Sequence, residues 1–265
     1  MRLIGLPLVV ASALSATFGL VFAQFIDSLG DGLAAQFLGG DAILYNNRVE
    51  ITGVSDVAFM GGFALTFVLG LLFLLSYPSQ RGHDISRLAF LWVIVHLLRH
   101  ALTDALLLSF DPNSQLARAY STFDAPPGLD TVISAAGGVG LVLIGLGAAA
   151  AFLAFAPHRT QISTPRKRFM FAVWLVVVPA AAAVFLALPF FTPDAGSGVV
   201  PALPLTAVMF LLTLAAAPGT KSVAGPDDPQ TFPWPFGMAG TLIVVLVAFV
   251  VLLQTGVSIN PTQWG

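Results

Sequence analysis

Long runs of apolar residues, separated by short polar segments, dominate this chain. A helix needs about 20 predominantly apolar residues to cross the hydrocarbon core of a bilayer. Seven stretches approach that length, at residues 3–25, 57–77, 88–110, 132–156, 169–191, 201–217 and 238–255. The pattern predicts a single membrane domain over residues 1–265. We expect an all-α bundle of about seven transmembrane helices, or of six if the short stretch 201–217 does not cross.

The longest polar interruption, residues 26–56, predicts a small loop region on the extracytoplasmic side. Within it, AILYNNRVEI (42–51) has apolar runs on both sides of Asn46 and Asn47. Asparagine is common at the central positions of tight hairpin turns. We therefore expect one small hairpin in this loop.

Composition supports a membrane protein and excludes several kinds of chemistry. The chain is 57% hydrophobic and 9% charged, whereas about 25% of the residues of a typical soluble domain are charged. A net charge of −2 gives no basic surface for nucleic acid, and the absence of cysteine excludes disulfides and thiolate metal sites. The lipid bilayer and other membrane protein subunits are the expected partners.

The distribution of basic residues predicts the orientation, because Lys and Arg in short loops concentrate on the cytoplasmic side. A cytoplasmic N-terminus leaves only Arg48 and Arg118 outside. The basic residues placed inside are Arg2, Arg81, Arg87, Arg159, Arg166, Lys167, Arg168 and Lys221. We therefore expect an integral protein of a plasma or inner membrane, with its N-terminus in the cytoplasm and, with seven spans, its C-terminus outside.

The third apolar stretch contains five polar side chains that share one helix face. At 100° per residue, His96, Arg99, His100, Thr103 and Asp104 fall within an arc of about 140°. A charged residue at the bilayer centre costs about 2.5–3.5 kcal/mol on insertion scales, so such groups turn toward partners or water. We therefore expect this face to line the interior of the bundle or a wet cavity.

Three of these residues have the spacing of a metal site. His96, His100 and Asp104 are separated by one helical turn each, or about 6 Å. Two histidines one turn apart bind zinc in the helical H-E-x-x-H motif, and Asp104 is either a further ligand or a group that orients His100. Two other interpretations stay open: a buried hydrogen-bonded network that includes Arg99 and Thr103, and a path for an anion or a proton.

Small residues recur at intervals of four in the fourth stretch, SAAGGVGLVLIGLGAAAAF (134–152). Small side chains allow helix backbones to approach closely in lipid. We therefore predict that Gly138, Gly140 and Gly147 pack against neighbouring helices.

The segment HLLRHALTDALL (96–107) resembles the H-E-x-x-H-A-L segment of site-2-protease-like intramembrane zinc metalloproteases. His96 and His100 match the two zinc-binding histidines of that family. ISAAGG (133–138) is similar to the stretch that opens the next helix of the family. The resemblance implies a related helical bundle with zinc as its cofactor.

A third stretch, LPFFTPDAGSG (188–198), resembles the family segment in which an aspartate completes the zinc site, and this implies Asp194 as the third ligand. The family's glutamate after the first histidine, the general base on zinc-bound water, is replaced by Leu97, which cannot accept a proton. The only glutamate of the chain is Glu50. The resemblance therefore implies a degenerate relative, a pseudoenzyme without proteolytic activity and with no catalytic residue.

Two other cofactors find no support in the sequence. Retinal needs a Schiff-base lysine inside the bundle, and the only lysines, Lys167 and Lys221, lie in predicted loops. A bis-histidine haem needs histidines that face each other, which His96 and His100 on one helix face cannot do.

We expect a non-proteolytic multi-pass protein that acts as a structural or accessory subunit of a membrane complex. The alternatives are a zinc-binding membrane protein with a residual hydrolase-like site, and a conductor of small solutes or protons.

Overall fold

The computed structural model describes residues 5–46, 48–79, 84–191, 203–220 and 229–259. Within these ranges, six helices are long and apolar enough to cross a membrane. They are α1 (Leu6–Phe37), α2 (Met60–Ser76, flanked by 3₁₀ turns), α3 (Ile85–Leu107), α5 (Leu129–Leu153), α6 (Pro165–Phe191) and α8 (Phe236–Leu253). Two shorter helices are α4 (Gln115–Tyr120) and α7 (Leu203–Ala216). The predicted all-α bundle of six to seven spans is confirmed.

Most helix bounds agree with the predicted spans to within a few residues, and side-chain caps explain two of the starts. The carboxylate of Asp84 accepts a hydrogen bond from the backbone N–H of Arg87 at 2.9 Å, which starts α3. The hydroxyl of Thr164 caps α6, with Pro165 in the first turn, where its missing N–H is not needed. Helix α7 covers 14 residues of the predicted stretch 201–217, fewer than a straight crossing requires.

The largest difference from the sequence prediction is at the end of α1. The prediction ended this span at Phe25 and placed residues 26–56 in a loop, but the helix continues without a break to Phe37. The added turns bury polar residues, including Asp27 and Asp31, against neighbouring helices. The first third of the predicted loop is therefore part of the bundle.

The predicted hairpin is confirmed. Strands β1 (Asp41–Leu44) and β2 (Val49–Thr52) pair in antiparallel register, and β3 (Val257–Ser258) pairs with β1 on its other edge. The side chain of Asn46 donates a hydrogen bond to the backbone carbonyl of Phe190 at 2.9 Å, which fixes the turn to the end of α6. The sheet covers the end of α1, since Val49 approaches Gly32 closely.

Helices α1 and α3 form the centre of the bundle and run in the same direction, because α2 returns the chain between them. Their backbones approach at Gly19, where an added Cβ would lie 2.8 Å from the carbonyl oxygen of Trp92. The indole of Trp92 donates a hydrogen bond to Ser12 Oγ at 2.9 Å, and Ser12 donates to the carbonyl of Leu175 in α6 at 2.6 Å. Pro179 has no N–H to give to this carbonyl, so Ser12 supplies a donor. This chain of bonds joins three helices.

Helix α5 packs on α3 through glycines, though not through all of the predicted ones. An added Cβ at Gly140 would lie 2.7 Å from the Leu102 side chain, and one at Gly138 would lie 3.4 Å from that of Leu106. The closest approach is at Gly137, which the prediction missed, 2.6 Å from a backbone nitrogen of α3. The packing role predicted for Gly147 is wrong for the described residues, because none of their heavy atoms lies within 4 Å of its added Cβ.

Candidate metal centre

Three side chains from α1 and α3 converge inside the bundle. The Nε2 atom of His100 lies 3.3 Å from Oδ2 of Asp27 and 3.7 Å from Oδ2 of Asp104. One ligand atom from each residue lies within 4.8 Å of the other two. Ligand atoms at about 2.0–2.1 Å from a tetrahedral zinc ion are about 3.4 Å apart. The contacts of His100 are therefore close to the spacing that one shared zinc ion requires.

Two parallel helices bring these residues together at the same depth. Asp27 and Asp31 are one turn apart near the end of α1, and His100 and Asp104 are one turn apart near the end of α3. Residues four apart lie on the same helix face, so each helix presents a pair of polar groups to the other. The sheet and the start of α2 lie at this same end of the bundle.

The start of α2 lies against the aspartates of α1. An added Cβ at Gly62 would lie 2.5 Å from Asp27 Oδ1 and 2.7 Å from Asp31 Oδ1. The backbone N–H of Gly62 donates a hydrogen bond to Asp31 Oδ1 at 2.6 Å. Only glycine leaves room for both carboxylates at this position.

The centre is largely buried and opens on one side. Asp27 and Asp31 are buried, while the side chains of His100 and Asp104 are 14% and 32% exposed. Asp31 interacts electrostatically with Asp27 and Asp104, and Arg99 with His100 and Asp104. Among the described residues, these interactions therefore bring three carboxylates together with one guanidinium. The acidic groups outnumber the basic ones, and a bound cation would compensate their ionised forms.

The donor set suits a divalent transition metal. One imidazole nitrogen and two carboxylate oxygens are ligands that Zn²⁺ accepts, and the carboxylates also suit Mn²⁺. A structural zinc site has four protein ligands, whereas a site with three keeps a position for water or another molecule. The group of Asp27, His100 and Asp104 is of the second kind.

The structure does not bring His96 into this group. The His96 ring stacks on Trp92, with 5.5 Å between ring centroids, and packs edge-on against Phe210. It is buried, and neither ring nitrogen has a hydrogen-bond partner among the described residues. The prediction that His96 and His100 share a metal is therefore wrong for this arrangement. Helical side chains point toward the preceding turn, which carries the His96 ring to Trp92 and away from His100.

The other predicted residues have different surroundings. Arg99 and Thr103 are both 3% exposed and lie in the interior, and the Thr103 hydroxyl has no partner within the described ranges. Leu97 is fully buried and packs on Gly70 of α2. Asp194 lies outside the described residues.

Sequence reasoning missed Asp27 and Asp31 because it read both as loop residues. One signal could have found them: FIDSLGDGLAAQF (25–37) contains neither proline nor a long polar run, so α1 could continue. Continued at 100° per residue, Asp27 and Asp31 fall on the same face as Gly19 and Ala23.

Comparison with known proteins gives no match: no family model fits the chain, and no curated protein or solved structure is significantly similar. The resemblance to intramembrane zinc metalloproteases therefore stays a prediction, as do the partner subunits. The six apolar helices found among the described residues indicate, by length and composition, a multi-pass membrane protein.

Proposed function

We propose that this protein binds a divalent transition metal, with zinc as the preferred ion, inside its transmembrane bundle. The observation that carries the proposal is the convergence of Asp27, His100 and Asp104, whose ligand atoms lie within 4.8 Å of one another. Two helices supply these ligands, so metal binding would join α1 to α3.

Charge supports a cation at this position. When all three carboxylates are ionised, Asp27, Asp31 and Asp104 contribute three formal negative charges, and Arg99 contributes one positive charge. With neutral His100, one divalent ion brings the formal charge of the group to zero. Uncompensated charge is costly within a membrane, so the bound ion would stabilise the bundle.

We further propose that the centre is not proteolytic. We also propose that the metal enters and leaves the site from the aqueous solution at one membrane face. Leu97 occupies the position of the family's general base and is fully buried among apolar residues. The partly exposed Asp104 lies at the end of the bundle that the sheet covers, and the distribution of basic residues favours an extracytoplasmic location for that end.

Metal analysis of the purified protein tests the proposal. After zinc loading and removal of free metal, we expect about one zinc per chain in the wild type and none in His100→Gln. The matched control is His158→Gln, because His158 is at the opposite end of the bundle and, within the described part of the chain, its ring bonds to nearby Thr160. No stoichiometric metal in the wild type would overturn the proposal.

A further inference from the structure

We infer that the first turn of α6 binds the headgroups of anionic phospholipids at the membrane surface. Three basic residues, Arg166, Lys167 and Arg168, follow Pro165 directly, and we call them the basic turn. Because α6 ends beside the hairpin, the basic turn lies at the other end of the bundle from the candidate metal centre. The inference is therefore independent of metal binding.

The first argument is uncompensated charge. Every charged residue between Asp130 and Asp194 is basic, and three of these four residues form the basic turn. None of the ion pairs of the described residues involves them. The described acidic residue at this end of the bundle, Asp84, caps α3 instead. Within the described part of the chain, no carboxylate therefore pairs with the three cations.

The second argument is the helix dipole. The N-terminus of an α-helix carries partial positive charge, so anions stabilise it and cations in the first turn are unfavourable. Helix α6 has no acidic residue in its first turn, and its cap is the neutral hydroxyl of Thr164. The orientation rule requires only that basic residues lie near the cytoplasmic end of a span. It does not explain why they occupy the turn where the helix opposes them, whereas an external anion would satisfy both the side chains and the helix.

The third argument is the arrangement of the side chains. Lys167 Nζ donates a hydrogen bond to the carbonyl of Thr160 at 2.8 Å and lies 3.3 Å from Ser163 Oγ, so it fixes the preceding loop to the helix. Arg166 is exposed, and Nε of the half-buried Arg168 has no hydrogen-bond partner among the described residues. Guanidinium groups bind phosphate oxygens through paired N–H groups. The two arginines therefore offer donors that suit a phosphate.

The position of the basic turn favours a phospholipid as the source of this phosphate. The apolar part of α6 begins at Phe169, directly after the basic turn, and the Phe169 side chain is 38% exposed. Charged residues next to an apolar span lie at the depth of the headgroups, and the exposed ring continues this surface toward the acyl chains. Basic segments at the cytoplasmic end of a span attract anionic lipids, and the distribution of basic residues predicts that this end is cytoplasmic.

Lipid titration of the full-length protein, followed by native mass spectrometry, measures the binding. We expect the wild type to retain phosphatidylglycerol in preference to phosphatidylcholine with the same acyl chains. Each Lys or Arg near an anionic surface strengthens binding roughly fivefold, so the double variant Arg166→Gln/Arg168→Gln should bind phosphatidylglycerol about 25-fold more weakly. The matched control, Arg48→Gln/Arg118→Gln, removes two positive charges at the hairpin end and should keep the preference.

Melting temperatures in mixed micelles separate lipid binding from a structural role of the arginines. With phosphatidylglycerol, the wild type should melt at a higher temperature than Arg166→Gln/Arg168→Gln. With phosphatidylcholine, the variant should melt at the same temperature as the wild type or higher, because it has fewer cations at the start of α6. A variant that is destabilised equally in both lipids would overturn the inference.

The wild type alone also decides, should the variant fail to fold. Equal retention of the two lipids from an equimolar mixture would overturn the inference and leave a protein partner or orientation alone as the role of the basic turn. A rise in melting temperature with inorganic phosphate as large as that with phosphatidylglycerol would overturn the assignment to a lipid. A rise with phosphatidylglycerol that inorganic phosphate does not reproduce supports it.

Discussion

The Nε2 atom of His100 lies 3.3 Å from a carboxylate oxygen of Asp27. This contact joins α3 to α1 within the bundle. It shows that the polar face of α3 has its partner on another helix. Considered on α3 alone, that face resembles a metal site formed by two histidines of the same helix. In the bundle, His100 and Asp104 combine with α1, and His96 packs among aromatic rings.

Zinc should stabilise the folded protein through this centre. A ligand that binds only the folded state adds about 2.7 kcal/mol to the free energy of unfolding at 100 times its Kd. We expect the melting temperature in detergent to rise with added zinc in the wild type, and the rise to disappear in Asp104→Asn. A variant that keeps the full zinc-dependent rise would exclude Asp104 as a ligand.

Removing the hydroxyl of Ser12 should destabilise the bundle. In Ser12→Ala, the indole N–H of Trp92 and the carbonyl of Leu175 both lose their partner. A buried polar group without a partner costs about 1–3 kcal/mol. Unfolding in a denaturing detergent should show a loss of this size. Thr241→Ala, which removes an exposed hydroxyl bonded within its own helix, should change stability by less than about 0.5 kcal/mol.

Two glycines of α5 should respond in opposite directions to alanine. In Gly137→Ala, the new Cβ would lie 2.6 Å from a backbone nitrogen of α3, so the helices must separate and stability should fall. In Gly147→Ala, the Cβ meets open space among the described residues, and the better helix propensity of alanine should add up to about 1 kcal/mol. Thermal unfolding of the two variants checks both signs, and equal losses would contradict the assigned packing.

Placing a glutamate at position 97, as in the H-E-x-x-H motif, should not create a peptidase. Leu97→Glu places a carboxylate in an apolar cluster with Val93, Ala23 and Ile26. We expect lower stability and no cleavage of a membrane-embedded reporter peptide, whereas Leu97→Met should remain close to wild type because it conserves volume. Cleavage by Leu97→Glu that depends on His96 would show that the metalloprotease resemblance describes the site better than the geometry does.

The sequence predicts the helices, the hairpin and the inward polar face of α3, because each depends on a local pattern. Apolar length identifies the spans, and the apolar runs on both sides of Asn46 and Asn47 identify the turn. Apolar length alone does not identify the end of α1, because Asp27 and Asp31 interrupt the apolar run; the absence of proline permits a longer helix, but the burial of these aspartates depends on how the helices pack. Their burial is a tertiary effect.

The partner of His100 was beyond sequence reasoning for a related reason. The spacing of His96 and His100 shows that two rings share a helix face, but it does not determine which ring turns toward α1. Gly19 brings the backbones of α1 and α3 close together and leaves the His96 ring against Trp92. The ligand set therefore depends on where two helices touch.

The most direct test compares the zinc content of Asp27→Asn with that of His96→Gln, both purified beside the wild type and loaded identically. The geometry predicts that Asp27→Asn loses the metal and that His96→Gln keeps about one zinc per chain. The opposite result, with zinc kept in Asp27→Asn and lost in His96→Gln, would contradict the proposed centre and favour the histidine pair.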